Sequence, residues 1–102
     1  MKFNFGLFSE AELEILHAAL WYENKREGLG EDLILSYEAA LNYIVTNPFL
    51  YQIRYRNLRF ANVYKFPFQI IYFVEGSMIT IVAFRHCKQN TKTLKKRIYK
   101  KD

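Results

Sequence analysis

The stretch from 59 to 86 constrains the fold of this chain more than any other part of the sequence. It contains two runs dominated by apolar residues, 68–75 and 78–85, separated only by Gly76-Ser77. A glycine followed by a small polar residue suits a tight two-residue turn between antiparallel strands. The stretch therefore predicts a long β-hairpin, with a further strand before it at about 59–65.

The residues before the hairpin predict one short strand and two helices. Alternation over 2–8 indicates a short strand, in which Gly6 favours either an edge position or a bulge. Ser9-Glu10-Ala11-Glu12 is a capping box that predicts a helix to about Glu27. A second helix is expected from about Glu31 to Thr46, since Asn47-Pro48 ends it. The apolar residues at helical spacing are expected to face the core. They are Leu13, Ile15, Leu16, Ala19, Leu20 and Tyr22 in the first helix, and Leu33, Tyr37, Ala40, Leu41 and Ile44 in the second.

A short strand or turn is expected near 53–55, and the three strands after it complete the element order β-α-α-β-β-β. This order predicts an α+β fold in which a helical hairpin packs on one face of a small, mainly antiparallel sheet. Residues 1–90 are expected to form this domain. Residues 91–102 are expected to form a basic C-terminal tail or a short helix.

The central hairpin has two apolar faces. If Glu75 pairs with Met78, alternation places one set of side chains on the first face and the other set on the second. Two helices can cover only one face, so the second must be covered by the tail, by a second copy or by a different protein. Since an open apolar sheet face marks a binding surface, the pattern predicts a partner. The first set is Phe68, Ile70, Tyr72, Val74, Ile79, Ile81, Ala83 and Arg85; the second is Gln69, Ile71, Phe73, Glu75, Met78, Thr80, Val82, Phe84 and His86.

Positive charge is concentrated at the C-terminus. The net charge is +5, and residues 88–102 hold seven basic residues and one acidic residue, whereas the other 87 residues hold eight basic and nine acidic ones. A basic block of this kind favours an anionic partner, either nucleic acid or an acidic protein surface, and is also found as a merely solvated end.

Several classes of protein are excluded by what the sequence lacks. No apolar run approaches the roughly 20 residues of a membrane-spanning helix, and the N-terminal residues lack a signal-peptide pattern. The single cysteine, Cys87, cannot form an internal disulfide, which favours the reducing cytoplasm. One cysteine and two distant histidines do not make a zinc site, and no cofactor motif is present.

Three strings in this order resemble the RelE/ParE superfamily, the toxin halves of bacterial type II toxin–antitoxin modules. The resemblance covers roughly residues 2–90. It implies a compact toxin that a cognate antitoxin wraps. The strings are Leu58-Arg59-Phe60, then Lys65-Phe66-Pro67-Phe68-Gln69-Ile70-Ile71-Tyr72, then Ile79-Thr80-Ile81-Val82-Ala83-Phe84-Arg85-His86.

The superfamily offers two activities. RelE-like members cut messenger RNA in the ribosome, whereas ParE-like members poison DNA gyrase without nuclease chemistry. A metal-independent ribonuclease needs a base, an acid and fixed cations, and the resemblance assigns Arg59 and His86 to that chemistry. Many members have His-x-Arg-Arg where this chain has His86-Cys87-Lys88-Gln89, and this departure favours the ParE-like branch.

The prediction is therefore a toxin that inhibits a cellular target, with DNA gyrase as the ParE-like target, and that a cognate antitoxin neutralises. An mRNA endonuclease and a basic nucleic-acid-binding adaptor are the alternatives, and a homodimer is a further option. Among the aromatic residues, Trp21 is interpreted as a protein-contact residue. The residues predicted to bind target or antitoxin are Arg56, Arg59, Lys65, Arg85, Lys88, Lys95, Lys96 and Arg97.

Overall fold

The computed structural model describes the backbone of residues 3–101 and the side chains of residues 3–98. Five strands form one sheet in the order β1-β5-β4-β3-β2, with β1 parallel to β5 and the other neighbours antiparallel. The elements are β1 (Asn4–Leu7), α1 (Ser9–Lys25), α2 (Leu29–Thr46), β2 (Ile53–Tyr55), β3 (Leu58–Asn62), β4 (Phe68–Glu75), β5 (Met78–His86) and α3 (Lys92–Lys101). The predicted α+β fold class is confirmed.

The ends of the elements differ from the sequence prediction by a few residues. The tight turn is confirmed, because Glu75 pairs with Met78 across Gly76-Ser77. The first strand is the edge strand Asn4–Leu7, and residue 2, where it was predicted to begin, lies outside the described residues. Helix α1 does begin at Ser9, but the predicted capping box is wrong because no side chain makes a capping hydrogen bond there.

The connection between α1 and α2 is short because Gly28 adopts a left-handed conformation, with φ of +89°. The two helices come so close that a Cβ atom on Gly30 would lie 2.5 Å from the carbonyl oxygen of Ala19. The carboxylate of Glu23 accepts hydrogen bonds from the backbone N–H groups of Gly28 and Gly30, at 3.0 Å and 2.9 Å. These two donors lower the pKa of Glu23 below its ordinary value.

The two helices cover the first face of the sheet, but α1 does so with fewer residues than predicted. Its buried residues are Ala11, Ile15 and Ala18. The prediction that Leu13, Leu16 and Leu20 face the core is wrong, since 54%, 50% and 62% of their respective surfaces are exposed. At 100° per residue, Leu13 and Leu20 lie on the side of α1 opposite Ile15, so only one of the two apolar stripes can face the sheet.

A β-bulge in β5 changes which side chains share a face. Tyr72 pairs with Ile81 and Ile71 pairs with Ala83, so Val82 has no partner on β4. One extra residue reverses the alternation beyond it. The predicted faces are therefore wrong for the end of β5: Phe84 joins the core under the helices, whereas Ala83 joins the second face.

Helix α3 covers part of the second face. Leu94 is 1% exposed and packs in a cluster with Leu58, Ile71, Val82 and Ala83, and Ile98 packs against the same cluster. Of the three covers considered from the sequence, the tail of the chain itself is the one that the structure contains. The sheet face alone therefore no longer argues for a partner. Away from α3, the second face keeps half-exposed aromatic side chains at Tyr55, Phe60 and Phe73.

We expect Leu94→Ala to lower the free energy of unfolding by about 2–5 kcal/mol, because it removes the buried side chain that joins α3 to the sheet. Urea unfolding followed by circular dichroism measures the change. Lys96→Ala, at an exposed position of the same helix, is the matched control and should change stability by less than about 0.5 kcal/mol. Equal effects of the two substitutions would show that α3 does not stabilise the sheet.

Candidate functional site

Arg59 holds the loop between α2 and β2. Its guanidinium donates hydrogen bonds to the backbone carbonyls of Phe49 and Tyr51, at 3.3 Å and 2.5 Å, and lies 5.4 Å from the centre of the Phe49 ring. Its side chain is half-buried on the face that the helices cover. Part of the Arg59 guanidinium is therefore already engaged in hydrogen bonds within the chain.

Tyr72 also contacts the loop between α2 and β2. Its hydroxyl donates a hydrogen bond of 2.7 Å to the backbone carbonyl of Pro48, and its ring packs edge-on against Tyr51. Burial raises the pKa of Tyr72 to about 12, and the positive charge of nearby Arg59 opposes that rise. The phenol is therefore a neutral hydrogen-bond donor over the physiological pH range.

His86 lies at the other end of the same face. Its Nδ1 accepts a 3.1 Å hydrogen bond from the backbone N–H of Lys88, and its ring packs edge-on against Phe68 at 5.6 Å. An accepting Nδ1 places the proton of a neutral imidazole on Nε2. Cys87 lies beside this ring, with its sulfur 3.9 Å from Nδ1.

Arg59 and His86 do not form one site. Arg59 pairs with Tyr72 on β4, and His86 pairs with Phe68. Four residues on a strand span about 13 Å, and the two strands that carry Arg59 and His86 lie on opposite sides of β4. A base and a cation act together only when both reach the same phosphate. This register places the two side chains too far apart for that.

A cluster around Glu14 closes the edge of the sheet where β1 ends. The carboxylate accepts a 3.0 Å hydrogen bond from the backbone N–H of Phe84 and two from Arg97, at 3.0 Å and 2.9 Å. Arg97 also donates a 2.8 Å hydrogen bond to the carbonyl of Val82. Glu14 from α1 and Arg97 from α3 thus provide hydrogen-bond partners for backbone groups of β5 that lie beyond the end of β1.

Arg85 is the second arginine of this cluster and is only 6% exposed. It donates hydrogen bonds to the hydroxyl of Thr93 and the carbonyl of Asn90, and its Nε lies 3.5 Å from a carboxylate oxygen of Glu14. Burial lowers the pKa of Arg85, as does the charge of Arg97, whereas Glu14 raises it. The intrinsic pKa of a guanidinium is so high that Arg85 stays charged at neutral pH.

The structure divides the predicted binding residues into two groups. Arg59, Arg85 and Arg97 make the internal contacts described above. The side chains of the other five are exposed. Two of the five, Arg56 and Lys65, lie in turns and have positive φ angles of +52° and +74°, respectively. These five are Arg56, Lys65, Lys88, Lys95 and Lys96. The binding role of every residue in both groups stays a prediction.

The sequence prediction missed two surface features. One is the exposed apolar surface on the helices and the loop after α2, made by Leu13, Leu16, Leu20, Leu35, Phe49 and Leu50. Periodicity flagged the first three residues but assigned them to the core. The other is a cavity of about 330 Å³ between α1 and the ends of β4 and β5. No local sequence signal could reveal it, because its walls come from residues up to 68 positions apart.

No group of three or more His, Cys, Asp or Glu side chains within residues 3–98 is placed to hold a metal ion. In the described part of the chain, none of the helices combines the length and the apolar character needed to cross a membrane.

Neither a protein-family model nor a curated protein matches the sequence. Among solved structures, the chain is similar to a chain of the chromosomal ParDE TA (toxin–antitoxin) system from P. aeruginosa. The TM-score is 0.73 at 12% sequence identity, and the match covers 83% of this chain and 96% of that chain. The fold is therefore the one that the RelE/ParE resemblance implied.

We expect Glu14→Gln to lower the free energy of unfolding by about 3 kcal/mol, because removing one partner leaves the charges of two largely buried arginines uncompensated. Thermal or urea unfolding measures the loss. Glu12→Gln, at an exposed position on the same helix, should change stability by less than about 0.5 kcal/mol. A loss no larger than that of the control would show that the cluster does not stabilise the sheet edge.

The raised pKa of Tyr72 predicts a loss of stability at high pH. Below the unfolded-state value of about 10, the phenol is neutral in both states; between about 10 and 12, only the unfolded chain ionises. The free energy of unfolding should therefore fall by on the order of 2 kcal/mol across that window. Tyr72→Phe should remove this part of the pH dependence. An unchanged slope in the variant would contradict the assignment.

Proposed function

We propose that this chain is the toxin component of a toxin–antitoxin module, that it acts by inhibitory binding to a cellular target, and that a partner protein neutralises it. The match in fold to a chain of the ParDE system carries the proposal, since it spans almost all of that chain. The ordered strings that resemble the RelE/ParE superfamily support it independently. DNA gyrase is the target that the ParE-like branch suggests.

The geometry favours binding over nucleic-acid cleavage. Arg59 and His86, the two residues that a ribonuclease would use, pair with β4 residues four positions apart, Tyr72 and Phe68, from opposite sides of that strand. Arg59 also donates to two backbone carbonyls of the loop after α2, which gives it a structural role. A phosphoryl-transfer site requires its groups to be positioned together, and this arrangement does not do so.

The exposed cations provide the electrostatic part of the binding surface. Lys95 and Lys96 lie on the exposed side of α3, while Arg56 and Lys65 occupy turns at the two ends of β3. These exposed charges attract an acidic protein surface or nucleic acid and raise the rate of encounter. Arg85 and Arg97 contribute indirectly, because they hold α3 against the sheet.

The exposed leucines provide the apolar part. Leu13, Leu16 and Leu20 recur at helical spacing on the outer side of α1, and Leu35 is exposed on α2. An apolar stripe on a surface helix is suited to burial by a helix of another protein. The proposed neutralising partner therefore binds the helical hairpin as well as the basic surface.

Induced expression of the chain in a bacterial host should arrest growth, and co-expression of the small protein encoded by the adjoining reading frame should restore it. Counts of viable cells over several hours measure both effects. Ile79→Asp, which places a charge in the core, is the control and should not arrest growth. Growth unaffected by well-expressed wild-type protein would contradict the proposal.

Two assays on the purified protein separate the targets. Inhibition of supercoiling by gyrase supports the ParE-like activity, whereas new 5′ ends in primer extension on cellular mRNA support a ribonuclease. If gyrase is the target, Lys96→Glu should weaken inhibition more than Arg26→Glu, which makes the same charge change at the end of α1. Cleaved mRNA with unaffected supercoiling would replace the binding mechanism with the enzymatic one.

A further inference from the structure

One cavity takes no part in the contacts of Arg59 or Glu14. It lies between α1 and the ends of β4 and β5, measures about 330 Å³ and is lined by Ala18, Trp21, Tyr22, Phe68 and His86. We call these five residues the aromatic pocket. Four of them carry rings, so a guest would meet flat aromatic surfaces on most sides.

The walls of the aromatic pocket support one another. The ring of Tyr22 packs edge-on against Trp21 at 4.9 Å and against Phe66 at 5.0 Å, and His86 packs edge-on against Phe68 at 5.6 Å. Edge-to-face pairs of this kind fix ring orientations. The small side chain of Ala18 leaves the space between them open. A pocket whose walls are held in this way loses little conformational entropy when a guest enters.

Two lysines, Lys25 and Lys88, adjoin walls of the aromatic pocket and form its basic rim. The Nζ atom of Lys25 lies 4.7 Å from the centre of the Trp21 ring. Lys88 follows His86 by two residues, and its backbone N–H donates a hydrogen bond to the His86 ring. None of the five lining residues is acidic. Charge complementarity therefore favours a guest with negative groups around it.

Among the described residues, Glu14 is the one acidic residue that lines the neighbouring cavity, which shares Ala18, Trp21 and Phe68 with the aromatic pocket. Its carboxylate is already bonded to Arg97 and to the backbone of β5. It therefore does not offset the positive rim, and its charge is compensated within the chain.

We propose that the aromatic pocket receives an aromatic side chain from an acidic segment of the neutralising partner. The inference rests on the proposed function for the existence of that partner. A nucleobase is a poorer guest, because the lining side chains offer only the indole N–H of Trp21, the hydroxyl of Tyr22 and the imidazole of His86. The Nδ1 atom of His86 already accepts a bond from Lys88, so part of the polar edge of a base would be left without hydrogen bonds. The volume lies at the lower end of the range for small-molecule pockets and suits a single ring.

The position of Trp21 makes the proposal directly measurable. It is the single tryptophan of the sequence, and it lines the pocket. The probe is an acetylated and amidated pentapeptide with phenylalanine between two pairs of aspartate. Titration should give a saturable change in tryptophan fluorescence. The same peptide with alanine in place of phenylalanine should bind about thirtyfold more weakly or worse, as expected for loss of an anchor.

Two pairs of variants locate the binding site. Ala18→Leu fills the pocket and should abolish the fluorescence change, whereas Ala39→Leu, the same substitution at an exposed position of α2, should not alter the affinity. Lys88→Glu should weaken binding of the peptide about two- to fivefold, as a rim charge does, and Lys96→Glu on α3 should change it less. Circular dichroism confirms that each variant is folded.

A measurement on the wild-type protein locates the bound peptide without any substitution. Two-dimensional NMR with the peptide should shift the signals of Ala18, Tyr22, His86 and the indole of Trp21. Shifts confined to Leu13, Leu16 and Leu20 would overturn the proposal, because the guest would then occupy the outer side of α1. Equal affinity for the phenylalanine and alanine peptides would also overturn it, as would the absence of binding at millimolar peptide.

The outcomes distinguish this inference from the proposed function. If growth arrest and neutralisation occur but Ala18→Leu is neutralised as well as the wild type, the inference fails and the proposed function stands. If the peptide binds in the pocket but expression does not arrest growth, the proposed function fails and the pocket remains a site for an acidic aromatic segment.

Discussion

The open edge of β5 is the constraint on which the rest of the structure depends. Strand β1 ends at Leu7, and the last backbone bond from its side is donated by the N–H of Phe8 to the carbonyl of Ile81. Beyond that point, Glu14 and Arg97 supply the partners for the backbone of β5. Because these side chains come from α1 and α3, the same contacts that complete the sheet also hold a helix on each of its faces.

The bulge at Val82 decides what each face presents. It brings Ala83 to the face that α3 covers, where Arg85 also donates a hydrogen bond to Thr93 in the first turn of α3. It also brings Phe84 and His86 to the face under the helices. One extra residue in β5 therefore shapes the surface that α3 packs against on the second face and a wall of the aromatic pocket on the face under the helices.

The internal cover of the second sheet face changes the physical case for a partner. The surplus of apolar surface predicted from the hairpin is real, but Leu94 and Ile98 of the same chain bury a large part of it. Half-exposed rings remain on that face at Tyr55, Phe60 and Phe73. Further apolar surface is exposed on α1, at Leu13, Leu16 and Leu20, and beside α1 at the aromatic pocket. A partner that binds there would leave α3 in place.

The sequence by itself determined the order of the first strand, the two helices and the three long strands, the position of the tight turn and the α+β class, because periodicity and turn chemistry are local properties. It left open whether 53–55 is a strand and whether the basic tail is a helix. It did not determine which leucine stripe of α1 is buried, since both stripes have helical spacing. It also could not show that Arg97 meets Glu14, 83 residues away, or that Arg59 and His86 lie apart. Those features depend on strand register and on the bulge, and only long-range packing sets them.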